Sequence, residues 1–84
     1  MNLYYRLNPD DFRRCMDQIR DHYRMHEEID EALTVLKLDD EDTIERVIGI
    51  FNPNEGEVQV RVILGDPSLK EYFDSVLGQP YKVK

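Results

Sequence analysis

The sequence predicts a small α+β domain, and three observations support that fold class. Two helix starts led by proline, Asn8-Pro9 and Asp66-Pro67, each follow an apolar stretch. A helical apolar stripe follows the first start, and alternating apolar residues precede the second. The chain has 84 residues, of which 40% are hydrophobic, which is typical of one folded domain rather than an acidic disordered tail. We therefore expect residues 1–84 to form a single domain around one core.

The first predicted elements are a short N-terminal strand over residues 3–7 and a long amphipathic helix. Asn8 is the expected N-cap, and Pro9 takes the first helical position, where its missing N–H costs nothing. Arginines and aspartates at helical spacings occupy the other side and predict a salt-bridged face toward solvent. We predict a helix from Pro9 to about Glu31. Its apolar stripe comprises Phe12, Cys15, Met16, Ile19, Tyr23 and His26.

Residues 33–38 fit either a helix or a strand. A helix that continued through them would have about 29 residues and a length of roughly 43 Å, which is too long for so small a domain. Thr34, Leu36 and Leu38 alternate with Val35 and Lys37, and this alternation favours a strand. We expect a three-stranded antiparallel meander with an acidic turn and a hairpin loop. Its strands are 33–38, 43–51 with a possible bulge at Gly49, and 57–64, and its loop is 52–56.

A second helix is predicted from Pro67 to Leu77, with Asp66 as its cap and Gly78 as its end. Residues 79–84 are expected to form a short tail, and both helices are expected to pack on one face of the sheet. An alternative has helix in residues 27–38 and a strand in the tail. That alternative gives the order β-α-β-β-α-β, which is ferredoxin-like.

The charge of the chain is concentrated in its middle quarter. The net charge is −7, and residues 27–45 contain nine carboxylates and one cation, for a net of −8. We call these residues the acidic block. Such a block repels nucleic acid and anionic membranes and attracts basic protein surfaces. The densest part is a predicted turn formed by Asp39, Asp40, Glu41 and Asp42.

The strand after this turn has too many apolar residues for a sheet with one face in water. Val47 and Phe51 would point to one face of the sheet, and Ile48 and Ile50 to the other. Whichever face is buried, apolar side chains remain on the face toward solvent. Ile63 adds to the excess on the next strand. Either the protein's own helices cover these residues, or a partner or second subunit does. The predicted partner-binding residues are Asp39, Asp40, Glu41, Asp42, Val47, Ile48, Ile50, Phe51 and Ile63.

Few residues indicate catalysis or metal binding. His22 and His26 are four residues apart, the spacing of two zinc ligands on a helix, but no second cluster supplies further ligands. Cys15 lies within the apolar stripe, where a small buried residue is the simpler interpretation. No nucleophile elbow, phosphate loop or dinucleotide-binding glycine pattern is present. We therefore expect no enzyme activity, no metal and no cofactor.

The sequence thus favours a small acidic binding protein without enzyme activity. Its expected partner is a basic protein, and inhibition or regulation of a nucleic-acid-binding protein is the most specific form of that role. Direct binding of nucleic acid or membrane is not expected, whereas a homodimer is compatible with the apolar excess. The alternative is a regulatory domain that binds a small ligand or a metal. One cysteine, no apolar run near 18 residues and no signal peptide favour a cytoplasmic location.

Overall fold

The described part of the chain forms an antiparallel sheet with two α-helices on one of its faces. The computed structural model describes residues 1–23, 25–30, 33–37, 44–52 and 56–84, and only the backbone of 26, 28–30, 33–37, 44, 45 and 52. The helices are α1 (Pro9–Tyr23) and α2 (Lys70–Leu77), and a short 3₁₀ helix (Pro67–Leu69) precedes α2. Within the described residues the strands are β1 (Asn2–Leu7), β2 (His26–Asp30), β3 (Leu33–Lys37), β4 (Ile44–Asn52), β5 (Glu57–Leu64) and β6 (Lys82–Val83).

The strand order across the sheet is β2-β3-β4-β5-β1-β6, and each neighbouring pair is antiparallel. β1 and β4 flank β5 and are connected through α1, whereas β5 and β6 flank β1 and are connected through α2. These are the two interleaved β-α-β units of a ferredoxin-like arrangement, with the β2–β3 hairpin inserted after α1. The predicted α+β class is therefore confirmed. The predicted strand count was wrong, because β2 and β6 are additional strands.

Both predicted helix starts are confirmed by their caps. The Asn8 side-chain oxygen accepts a hydrogen bond from the Asp11 backbone N–H at 2.8 Å, and the Asn8 amide donates to the Asp11 carboxylate at 2.9 Å. At the second start, the Asp66 carboxylate accepts from the Ser68 backbone N–H at 2.9 Å. This bond stabilises the charged form and lowers the pKa of Asp66. Each cap satisfies a backbone N–H that the helix itself cannot pair.

The first helix is shorter than predicted, because it ends at Tyr23 rather than near Glu31. The Met25 backbone N–H donates to the Arg20 carbonyl at 3.0 Å, and Met25 turns into the core, where it is 4% exposed. The next five residues then pair one for one with β3. A ladder of backbone hydrogen bonds to a strand further along the chain thus replaces the local preference for helix. The interpretation of residues 27–38 as helix is wrong for the same reason.

Gly49 is not a bulge, contrary to the prediction. It lies in regular register opposite Val60, and the irregularity of β4 falls between Ile44 and Arg46. The absence of a side chain at Gly49 makes room for α1, since a Cβ there would lie 2.2 Å from two ring carbons of Phe12. Glycine at this position is therefore a packing requirement between α1 and β4.

The other predicted elements agree with the structure to within a residue or two, apart from the tail. β3, β4 and β5 occupy the three predicted meander strands, and the second helix ends before Gly78, which has a φ of 86°. Gly56 has a φ of 65°, as a left-handed loop residue should. The tail contains β6 and so follows the alternative. Residues 38–43 and 53–55, with the predicted acidic turn Asp39, Asp40, Glu41 and Asp42, lie outside the described residues.

One core lies between the helices and the sheet. In β5 the alternate residues predicted to share one face, from Val58 to Leu64, are buried. In α1 the buried face consists of four residues of the predicted apolar stripe. Every sheet residue in this core lies on the side that faces the helices, so no helix among the described residues covers the opposite face. The core residues are Leu3, Tyr5, Phe12, Cys15, Met16, Ile19, Met25, Val47, Val58, Val60, Val62, Leu64, Phe73 and Leu77.

Candidate binding surface

The sheet face away from the helices carries side chains that the core does not use. We call it the open face. Its described side chains alternate with the buried ones along each strand, and the register places Tyr4 of β1 beside Arg61 of β5, with Ile48 of β4 next in the same row. The described strand residues of the open face are Asn2, Tyr4, Arg6, Arg46, Ile48, Ile50, Glu57, Gln59, Arg61, Ile63 and Lys82, and Tyr81 lies beside Tyr4.

The predicted apolar residues divide between the two faces. Val47 is 0% exposed and belongs to the core, so it is not available to a partner. Phe51 pairs with Val58 on the helix side and is 40% exposed. Ile50 is 47% exposed on the open face and half-buried Ile48 follows it along β4, whereas half-buried Ile63 lies opposite Arg46 on β5. The apolar part of the open face therefore consists of three isoleucines on β4 and β5.

Two tyrosines and three cations form a cluster on the other half of the open face. The ring centres of Tyr4 and Tyr81 are 6.2 Å apart. The Arg6 guanidinium lies 4.3 Å from the centre of the Tyr81 ring. The Arg61 guanidinium and the Lys82 ammonium lie 5.7 Å and 5.4 Å from the centre of the Tyr4 ring. These are cation–π distances, so the rings hold the charges in place without neutralising them.

The arginines of α1, in contrast, are paired with carboxylates. Arg20 lies within 3.3 Å of both Asp17 and Glu27, and its partner Glu27 belongs to β2. These pairs confirm the predicted salt-bridged face and also connect α1 to the strand that follows it. The remaining pairs are Arg13–Glu27 at 3.5 Å, Arg14–Asp11 at 2.9 Å and Arg20–Asp21 at 3.6 Å.

The cations of the open face have no such partners among the described residues. No ion pair within the described part of the chain involves Arg6, Arg46, Arg61 or Lys82. In a chain of net charge −7, four positive side chains on one face thus have no ion-pair partner within the described ranges. An exposed cation attracts a carboxylate from another molecule most strongly where it has none of its own nearby. The open face is therefore suited to a partner that brings negative charge.

A shallow groove crosses this face between the tyrosines and the isoleucines. Its volume is about 210 Å³, which is less than the roughly 300 Å³ of the smallest typical ligand pockets. It can accept one or two side chains of a partner but does not enclose a small molecule. The groove is lined by Tyr4, Ile50, Gln59, Val60, Arg61 and Tyr81.

The candidate catalytic and metal-binding residues do not lie together in one site. Cys15 is buried, its thiol contacts the Val76 carbonyl at 3.4 Å, and burial raises its pKa, all of which oppose a nucleophilic role. His22 stacks on Tyr72 at 4.4 Å in the last turn of α1, whereas His26 begins β2. The two histidines therefore do not share a helix face. No group of three or more potential metal ligands occurs within the described ranges.

Tyr5 connects the sheet to α2. Its buried ring donates a hydrogen bond from the hydroxyl to the Asp74 carboxylate at 3.1 Å, and Lys70 contacts the same carboxylate. Burial, together with the negative charge of Asp74, raises the pKa of the Tyr5 phenol well above its usual value. The folded protein therefore keeps the Tyr5 proton under alkaline conditions in which the unfolded chain releases it.

This arrangement predicts a loss of stability at alkaline pH. Above about pH 10 the unfolded state binds fewer protons than the folded state at Tyr5, so the free energy of unfolding should fall by up to about 1.4 kcal/mol per pH unit. Urea titrations between pH 8 and pH 11 should show this fall in the wild type and a shallower one in Tyr5→Phe. Exposed Tyr81→Phe serves as the control and should keep the wild-type slope. Equal slopes for Tyr5→Phe and the wild type would contradict the prediction.

Comparisons with known proteins found no similar protein from which a function could be inferred. No protein-family model, curated protein or solved structure matches the chain. Among the described residues, no helix has the length and apolar character required to cross a membrane.

Proposed function

We propose that this protein is a non-enzymatic binding protein that holds a protein partner on the open face of its sheet. The observation that carries the proposal is the apolar part of that face, where Ile50 is exposed and Ile48 and Ile63 are half-buried. An apolar centre surrounded by polar and charged groups is the usual composition of a protein-binding surface. The tyrosines and arginines beside it are the residue types that contribute most to binding at such surfaces.

A photo-crosslinking amino acid at position 50 tests the proposal directly. Crosslinking in the native host should join Ile50 to a protein partner or to a second copy of the chain. The same group at Arg14, an exposed position on α1 at the opposite face, should give no such product. The variant Ile50→Glu should reduce recovery of the partner at least tenfold and shift the melting temperature little, because the side chain is already 47% exposed. Equal crosslinking at both positions, or none at position 50, would refute the proposal.

The acidic block supports a second candidate function. Its net charge of −8 would attract a basic protein, and its carboxylates could occupy sites built for phosphates. This role corresponds to an inhibitor or regulator of a nucleic-acid-binding protein. A regulatory domain for a small ligand has less support, since the groove is small.

A further inference from the structure

We propose that the cluster of Tyr4, Tyr81, Arg6, Arg61 and Lys82 on the open face binds an acidic segment of a partner protein, and that the adjacent groove takes an apolar side chain of the same segment. We call these five residues the cation–tyrosine cluster. The inference rests on the proposed function and names the chemistry of the partner. Its basis is the position of the three cations, their lack of carboxylate partners among the described residues, and the composition of the groove.

Three cations surround Tyr4 within the sheet. Arg61 is its direct neighbour on β5 and Lys82 its direct neighbour on β6, whereas Arg6 follows two residues later on the same strand and the same face. Neighbouring strands lie about 4.8 Å apart and alternate residues of one strand roughly 7 Å apart. Positive charge is therefore concentrated around one ring on this face.

These charges are available to another molecule. A cation–π contact does not neutralise a cation, and it leaves most of the N–H groups of a guanidinium able to donate to carboxylates. Among the described strand residues of the open face the only carboxylate is Glu57, and it forms no ion pair. The arginines at this site thus present free donors, unlike Arg20 on α1, which already contacts Asp17 and Glu27.

The negative charge of the chain lies mainly elsewhere. The acidic block has a net charge of −8 and the whole chain −7, so the residues outside the block have a net charge of +1. The strand β2, which belongs to the block, lies three to five strand spacings from the strands that hold the three cations. This separation is roughly 14–24 Å, whereas the Debye length at physiological salt is about 8 Å. An acidic segment at the cluster is therefore screened from the charge of β2.

The groove beside the cluster suits an apolar side chain. Ile50 lines it with an exposed side chain, and Tyr4 and Arg61 belong to both the groove and the cluster. Gln59 adds an amide, which can donate to and accept from the backbone of a bound segment. The volume of about 210 Å³ accommodates one or two side chains. A segment in which carboxylates flank an apolar residue matches both parts of the site.

A nucleic acid matches the same cluster less well. Single strands bind largely by stacking bases on aromatic faces. Here Arg6 lies over the ring of Tyr81, and two further cations approach the ring of Tyr4, so cations occupy positions that stacked bases need. A strand also carries one negative charge about every 3.4 Å, which extends well beyond three cations. A protein segment with a few carboxylates is the better match.

Nuclear magnetic resonance titrations with synthetic ligands test the inference. The probe is a short peptide with glutamates on both sides of a central leucine, added to about 1 mM. The amide signals of Tyr4, Arg61 and Lys82 should shift progressively, and those of exposed α1 positions such as Arg14 should not. Replacing the glutamates with glutamine, or the leucine with serine, should each weaken binding at least threefold. A single-stranded oligonucleotide and free sodium glutamate, each at matched charge, are the comparison ligands.

Two pairs of substitutions locate the binding charge. Arg6→Gln with Arg61→Gln should weaken binding of the glutamate peptide about fivefold or more, because two carboxylates lose their partners. Arg13→Gln with Arg14→Gln removes the same charge from exposed positions on α1 and should change binding less than twofold. Circular dichroism confirms that each variant is folded. Lys82→Gln, with Arg14→Gln as its control, takes the place of a pair that is not.

Several outcomes would overturn the inference. These are unchanged signals at about 1 mM peptide, equal affinity for the glutamate and glutamine peptides, or equal losses in the two arginine pairs. Tighter binding of the oligonucleotide at the same residues would assign the cluster to nucleic acid, and an equal effect of free glutamate would reduce it to a site for single anions. If the peptide fails while position 50 crosslinks to a protein, the proposed function stands and only this inference falls. No crosslink at position 50 refutes the proposed function whatever the peptide does.

Discussion

Replacing Gly49 with valine is expected to reduce the free energy of unfolding by about 3 kcal/mol or more, the largest effect among the single substitutions considered. The new Cβ would lie 2.2 Å from the ring of Phe12, which is 8% exposed and packed in the core. Forcing atoms into a packed core typically costs about 1–3 kcal/mol, and displacing the ring also loses part of its burial. The total stability of so small a domain is of order 4–12 kcal/mol, so urea unfolding should show the loss clearly.

A double-mutant cycle separates this packing effect from the general cost of a new side chain in a strand. Gly49→Ala should destabilise the wild type by about 1–3 kcal/mol. In a Phe12→Leu background the same change should cost at least 1 kcal/mol less, because the two ring carbons near the new Cβ are gone. If Gly49→Ala has the same cost in both backgrounds, the close approach of Phe12 is not the reason for glycine here.

Neutralising the acidic turn should affect association rather than stability. Changing Asp39, Asp40 and Asp42 to Asn and Glu41 to Gln removes four of the nine carboxylates of the block. The sequence predicts that this turn is exposed, and exposed charges contribute little to folding, so the melting temperature should stay unchanged or rise slightly. The association rate with a basic protein partner should fall about tenfold or more at low salt, and its salt dependence should flatten, because steering acts on encounter.

The control for this experiment removes negative charge elsewhere. Asp10→Asn with Glu71→Gln neutralises two exposed carboxylates on the helix side. Stopped-flow kinetics should show a much smaller reduction for each charge removed than in the turn variant. An unchanged association rate for the turn variant at low salt would remove the acidic block from the binding surface.

Local signals in the sequence were sufficient for the elements that depend on local chemistry. The caps Asn8 and Asp66 are recognised from their sequence neighbours alone. The alternation of apolar and polar residues in β5 is likewise visible without knowledge of the adjacent strands. Residues 26–30 are different, because their conformation depends on the strand beside them. A stripe that includes Tyr23 and His26 fits a longer helix equally well, and only the pairing with β3 decides against it.

The candidate binding surface was predictable in its apolar part and not in its charged part. The excess of apolar residues in β4 predicted apolar side chains on both faces of the sheet. Only the register could assign Ile50 to the open face and Val47 to the core. The cation–tyrosine cluster joins residues from opposite ends of the chain. It forms because β1 pairs with β6, and a two-residue strand gives almost no periodic signal. The available signal was composition: tyrosine and basic residues occur together near both ends of the chain.

The strand order also has a kinetic consequence. β2, β3, β4 and β5 are successive neighbours, so these four strands can pair by closing short loops. The pairs between β1 and β5, in contrast, join residues more than 50 positions apart, and such contacts form slowly. We expect the meander to assemble first, and β1 and β6 to dock late. Arg6 and Lys82 reach the open face only at that step, so a partner that requires them recognises the completed fold and not its intermediates.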